Sequence, residues 1–397
     1  MKVNQLSSRS GEFILCVFIV PLISLAVLWV PLRDSGLGAN ADFIQFYSAG
    51  AVVAKGAAPH LYDLALQSEI LRQFTHPPFE AILYAPFALF SYTTAFRLWT
   101  LLSLTSLGLI FFLLRPYGVA FGLSERLLML SAVFYPVFSV IVQGQDSLLV
   151  LLAFTLTFLS LKKNRHFWGG MFLGAGLVKP QVVLPFALLL TLQGYWKMIG
   201  GLTIAAVSFG LLSVLVFGPS VVIQYPSMLL HMNEEANAPT FHLVPQTMPN
   251  LRGIIALLFS HILSPHMVII TCALLSVGLA IWACRRQMVG GSFDLSFSFA
   301  LVITLLISFH LLIHDLSLVL LPIFLYLNYL RTHKPQSCIS YSLRLLPLPL
   351  LFLTLLIIQL AGLRNFSVVG FSVIGLAAAI HVTQLTGGSD SQAPTAS

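Results

Sequence analysis

Run after run of this chain passes 15 to 20 residues without an Asp, Glu, Lys or Arg, and that feature decides what it can fold into. Such runs cover residues 13–32, 98–114, 127–142, 147–161, 198–217, 266–284, 295–313, 316–330, 345–361 and 366–384. A helix needs about 20 apolar residues to cross ~30 Å of hydrocarbon. Only helices and closed barrels satisfy every backbone group in lipid, and runs of this length fit helices. A water-facing surface is excluded as the main boundary, because only 8% of the residues are charged against roughly 25% in soluble domains.

One further run, 167–193, carries Lys179-Pro180 at its midpoint. Proline removes a backbone donor and clashes with the preceding turn, so two short helices meeting at the lysine are expected. With this pair the chain reads as about twelve transmembrane helices. The fold class expected is all-α, a polytopic membrane helical bundle in one domain over residues 1–385. Residues 386–397 form a small polar tail that reads as disordered. Lys2 and Arg9 precede the first run, which is longer than a signal-peptide core of about 7–15 residues, so it reads as a retained span.

The charges divide by face. With the N-terminus in the cytoplasm, thirteen of the 20 Lys and Arg residues fall on that side, among them Lys162, Lys163, Arg165, Arg285 and Arg286. That bias follows the positive-inside rule. Asp34, Asp42, Asp63, Glu69, Glu80, Asp146, Glu234, Glu235 and Asp315 gather on the other side, with two long loops near 33–97 and 218–265. Residues 42–55 and 61–74 have helical spacing and suit interfacial helices in the first outer loop. Residues 79–92 and 251–263 read as short interfacial or re-entrant helices. The net charge of +7 is topological, with no basic cluster interleaved with exposed aromatics, so no nucleic acid is expected as partner. Cys16, Cys272, Cys284 and Cys338 form no CxxC, so neither a disulfide framework nor a zinc motif is indicated.

The reactive side chains fall in a few short segments. Asp42 opens the first interfacial helix, with Tyr47 about one turn on; the carboxylate suits a general base or a helix N-cap. His76 precedes Pro77-Pro78, a rigid elbow. Gln145 and Asp146 follow Gln143-Gly144 in a tight turn between two crossings, where polar groups are costly unless they face a cavity. Lys179, a cation between apolar half-helices, suits a lipid phosphate. Gln246 and Arg252 lie in a loop whose amide and guanidinium suit sugars and phosphates. His314 and Asp315 end a crossing. His310 and His314, at i and i+4 of one helix, could share a metal, but no third ligand lies close in sequence, so no metal ligand is assigned.

Asp42-Phe43 with aromatics at 46 and 47, then Gly56, Pro59, Tyr62-Asp63 and Pro77-Pro78-Phe79, resembles the opening of the family 87 glycosyltransferases. Gly144-Gln145 before leucines, Lys179-Pro180, and His314-Asp315 before Leu320-Leu321-Pro322 resemble the same family in the same order, over about residues 13–330. The resemblance implies a GT-C architecture, a polyprenyl-phosphate sugar donor, a lipid or glycan acceptor at the outer face, and inversion; with the charge bias, the chain is expected in a bacterial inner membrane with both termini cytoplasmic. It maps the general base onto Asp42. Lys179, helped by His76 or Arg252, would then steady the leaving phosphate, and Asp146 would stabilise the charge developing on the sugar. Two positions depart from the pattern: Pro follows Lys179 directly, where a K-x-x-P spacing is common, and Asp follows Gln145, where Asn is common. A lipid-linked glycan polymerase or ligase and a transporter are the competing classes. A transporter would show internal repeats, and the sequence has none.

Overall fold

The computed structural model describes residues 42–63, 74–117, 131, 134–234, 244–287, 292–333, 338–360 and 365–390. The run at 13–32, most of the helical pattern at 61–74, the start of the run at 127–142 and residues 391–397 lie outside them. Among the described residues every regular element is helical.

The helices are α1 (Phe43–Ala54), α2 (Pro78–Tyr84), α3 (Tyr92–Leu114), α4 (Tyr135–Gln143), α5 (Ser147–Lys162), α6 (His166–Ala175), α7 (Pro180–Leu192) and α8 (Trp196–Phe217). Then come α9 (Pro219–Glu234), α10 (Leu251–Phe259), α11 (Pro265–Gln287), α12 (Phe293–Ile307), α13 (Leu320–Thr332), α14 (Cys338–Leu345), α15 (Pro347–Leu360) and α16 (Val369–Asp390). Among the described residues the uncharged runs became helices almost one for one. α16 continues to Asp390, past residue 385.

Among the described residues, five stretches are long and apolar enough to cross a membrane, at 92–117, 196–217, 265–285, 313–332 and 366–386, and several shorter apolar helices pack among them. The chain is a polytopic helical bundle. Its outer helices leave large aliphatic side chains uncovered: Leu215 on α8 is 81% exposed and Leu274 on α11 69%. Such continuous apolar faces are rare on water-facing monomers and are what lipid requires. α12 is the opposite case. Phe297, Phe299, Ala300, Leu301, Val302 and Leu305 are all fully buried, and a helix apolar all round belongs in the centre of a bundle. Phe186 of α7 joins it to α5, with ring centroids 5.0 Å from Phe297 and 4.9 Å from Phe154.

The break at Lys179 is real. α6 ends at Ala175, a 3-10 turn covers Gly176–Val178, and Lys179 takes a non-helical conformation (φ −121°, ψ 71°) before α7 starts at Pro180. Proline fits that first helical position, where its missing N–H would have no partner anyway. α6 packs against α8 backbone to backbone. A Cβ on Gly170 would lie 1.9 Å from the Met198 carbonyl, and one on Gly201 would lie 2.0 Å from the Phe167 carbonyl. Only glycine allows that approach.

α12 does not run through the apolar pattern to residue 313. It ends at Ile307 with Ser308 extended (φ −57°, ψ 127°), and a 3-10 turn begins only at Ile313. His310 and His314 are therefore not one turn apart on a helix face, contrary to the sequence reading. The break is held by distant partners. Asn250 Nδ2 donates to the Ser308 carbonyl at 2.7 Å, and Ser308 Oγ donates to the Gln181 carbonyl at 3.0 Å.

α5 separates two charged ends. Its 16 residues at 1.5 Å each span about 24 Å. Asp146 stands at one end, and Lys162, ion-paired to Asp294, at the other.

Candidate active site

The turn between α4 and α5 is where the site is built. Gly144 adopts φ +67°, a left-handed conformation that favours glycine. A Cβ there would also meet Phe43 Cβ at 2.6 Å. The turn therefore seats directly on the start of α1. Trp99 Nε1 donates to the Gln145 carbonyl at 3.4 Å. The Gln145 side chain then reaches across, its Nε2 donating to Asp42 Oδ2 at 2.8 Å. Asp42 makes no side-chain cap to α1 and Asp146 none to α5, so capping accounts for neither carboxylate.

Beneath this pair lies a buried ionic group. Lys179 Nζ sits 2.6 Å from Asp315 Oδ1 and 3.0 Å from Asp146 Oδ1. Asp315 also accepts from Ser147 Oγ at 3.0 Å and from the Leu312 N–H at 3.0 Å. Lys179, Asp146 and Asp315 are each at most 2% exposed. Lys179 is thus held between two carboxylates, where the sequence reads it as a cation available to a phosphate. His314 stands beside the group, its Nδ1 2.8 Å from Gln143 Oε1 and its Nε2 3.6 Å from Asp315. Asp42 and Asp146 both lie within electrostatic reach of that imidazole.

On the other side stands a pair that the sequence shows only in half. His76 Nδ1 lies 2.9 Å from Glu80 Oε2. Pro77 and Pro78 start α2 and place Glu80 one turn beyond the histidine, facing inward with 0% exposure. Burial pushes the Glu80 carboxyl up to about 7 despite the pull of His76. Burial opposes charge on His76 too, but the Glu80 carboxylate outweighs it and raises the imidazole above its ordinary value. Asp146 and Lys179 lie within electrostatic reach of both. Glu80 is the main residue that sequence reasoning did not assign to the site. Its signal was its i+4 spacing from His76 across a proline pair.

Arg252 is 4% exposed, its guanidinium 4.2 Å from the Phe309 ring centroid. It lies within electrostatic reach of His310 and so approaches the cluster from the α10 side. Two expected residues are not drawn in. Tyr47 donates its hydroxyl to the Phe90 carbonyl at 2.9 Å and packs edge-on to Tyr92. Gln246 is half-buried on the 3-10 turn Pro245–Thr247 and makes no hydrogen bond to the cluster. Next to it Asn250 serves the fold, capping α10 by accepting from the Gly253 N–H at 3.0 Å.

The assembly is a half-exposed carboxylate, Asp42, on a neutral amide, above buried carboxylates, an ammonium and imidazoles, all at one end of an apolar bundle. Such a set can deprotonate a hydroxyl and stabilise developing charge. A family model described as glycosyltransferase family 87 matches residues 74–313, more than half of the chain. The matched segment contains His76, Glu80, Gln145, Asp146, Lys179, Gln246 and Arg252, while Asp42, Tyr47, His314 and Asp315 lie outside it. No curated protein and no solved structure matches the chain.

Proposed function

The chain belongs to glycosyltransferase family 87, and from that premise we propose that it transfers a hexosyl group, mannose being the first to test, from a polyprenyl-phosphate donor to a hydroxyl acceptor on the outer face of a bacterial inner membrane. The observation that carries this reading is the Asp42–Gln145 contact above the buried ionic cluster. It supports a base held at a polar surface while the groups beneath it are fixed.

In the step proposed, the acceptor oxygen attacks the anomeric carbon as the bond from that carbon to the phosphate oxygen breaks. The acceptor proton passes to Asp42. The bonding pair leaves with the polyprenyl phosphate, on the face opposite the attack, so the configuration inverts. Lys179 fixes Asp146 and Asp315, and Asp146 stabilises the oxocarbenium character of the sugar. Arg252 and His310 are the groups best placed to meet the phosphate from the α10 side.

The test is radiolabelled transfer from polyprenyl-phosphate sugars by the purified full chain in nanodiscs. A general base is typically worth ~10²–10⁴ in rate. Asp42→Asn keeps an oxygen for the Gln145 amide, so melting should stay put while transfer falls by about that factor. Full transfer in Asp42→Asn would remove Asp42 from the mechanism. Wild-type protein that moves labelled lipid between leaflets without transferring sugar would overturn the enzyme reading.

A further inference from the structure

Even with His76 paired to Glu80, the buried cluster holds more carboxylates than cations. Three carboxylates (Glu80, Asp146 and Asp315) and one ammonium (Lys179) are each at most 2% exposed. Lys179 is already shared, and Asp315 takes its shortest contact together with two further donors. Among the described residues, Glu80 Oε1 and Asp146 Oδ2 find no hydrogen-bond partner. Nor does the hydroxyl of Tyr84, which is 0% exposed and within electrostatic reach of both carboxylates. Buried polar atoms are normally satisfied, and a buried carboxylate without a counter-charge is costly. Three orphaned oxygens in one place need one explanation.

The geometry supplies it. A ring nitrogen of His76 and a carboxylate oxygen from each of Glu80 and Asp146 all lie within 4.8 Å of one another. Ligands about 2.2 Å from a shared ion stand up to about 4.4 Å apart, so small side-chain shifts bring all three onto one ion. We propose that His76, Glu80 and Asp146 form a binding site for a divalent cation. One imidazole with two carboxylates and no thiolate is a predominantly hard donor set; the imidazole favours Mn²⁺ over Mg²⁺. A water on the ion would give the Tyr84 hydroxyl its missing partner. The site answers a difficulty in the proposed reaction, on which this last consequence rests: a phosphate entering a cluster of net negative charge is repelled, and Lys179 is already engaged. A divalent cation reverses that sign.

The test is metal binding by the purified full chain in nanodiscs, stripped with chelator and titrated with Mn²⁺ while free Mn²⁺ is followed by electron paramagnetic resonance. One equivalent should bind to the wild type and raise its melting temperature. Glu80→Gln, which leaves the Lys179 ion pairs intact, should weaken binding at least tenfold and abolish the thermal shift. His310→Gln, outside the triad, should bind as the wild type does. No stoichiometric binding by folded wild type, or unchanged affinity in Glu80→Gln, would overturn the site and leave shared protons to balance the charge. Binding is read without donor or acceptor. Protein that binds Mn²⁺ but transfers no sugar therefore counts against glycosyl transfer alone, and transfer by metal-free protein counts against the metal alone.

Discussion

Lys179 shows how far one residue's role can differ from its sequence signature. Read from the chain, a lysine between apolar half-helices beside a proline asks for an anion, and a lipid phosphate is the obvious candidate. The anions it finds are its own chain's: Asp146, 33 positions before it, and Asp315, 136 positions after it. Local pattern cannot show a pairing of that sequence separation. The consequence is measurable. Removing one partner of a buried ion pair costs about 3–5 kcal/mol, because the remaining charge has no compensation. Lys179→Met therefore lowers thermal stability sharply in detergent. Lys179→Met combined with Asp315→Asn recovers part of the loss, since one of the stranded charges is gone. A Lys179→Met protein that melts with the wild type would mean that the ammonium is not balancing the carboxylates. Asp42 is the converse. Its position at a helix start allowed two readings, base or cap, and the absence of any side-chain cap removes the second.

Elements were legible where lipid leaves the chain no choice. In hydrocarbon a backbone must satisfy itself, so each uncharged run predicts a helix, and among the described residues nearly every run delivered one. The Lys179-Pro180 break was equally plain, because proline acts through its own covalent structure. The end of α12 was not. Residues 308–313 carry no charge to mark an end to the run, and hydropathy does not encode a break held by Asn250 and Gln181. The α6–α8 contact lies between these cases: glycines at 170 and 174 permit close packing, but nothing in the sequence names α8 as their partner. It now yields a paired prediction. Gly170→Ala puts a methyl 1.9 Å from the Met198 carbonyl, so the helices must part. α6 leads straight into Lys179, so the ionic cluster shifts with it, and both melting temperature and transfer should drop. Gly200→Ala has its nearest atom at 4.0 Å and replaces glycine with the best helix former, worth about 0.5–1 kcal/mol. It should leave both properties unchanged or raise stability slightly. Equal effects of the two substitutions would refute the close contact.

At the scale of the whole molecule the bundle has two unlike ends. One carries Asp42, Glu80, Asp146 and Asp315 with their partners; the other carries the Lys162–Asp294 pair and the turn Lys163-Asn164-Arg165. Which end faces outward decides what donor can reach the site. Nucleotide-activated sugars belong to the cytoplasm, whereas a polyprenyl carrier presents its sugar on the far side. The charge bias argues for the second arrangement: Lys162, Lys163 and Arg165 stand in a short turn, where the positive-inside rule acts most strongly. With the native cysteines replaced, Ala54→Cys lies at the site end and Asn164→Cys at the opposite end, and both positions are exposed. A membrane-impermeant maleimide should label Ala54→Cys in cells whose inner membrane is intact, and Asn164→Cys only after that membrane is opened. The reverse result would put the carboxylates in the cytoplasm. The family assignment and the cluster geometry would stand, but the polyprenyl-phosphate donor would lose its main support, and a nucleotide-linked sugar would become the first donor to try.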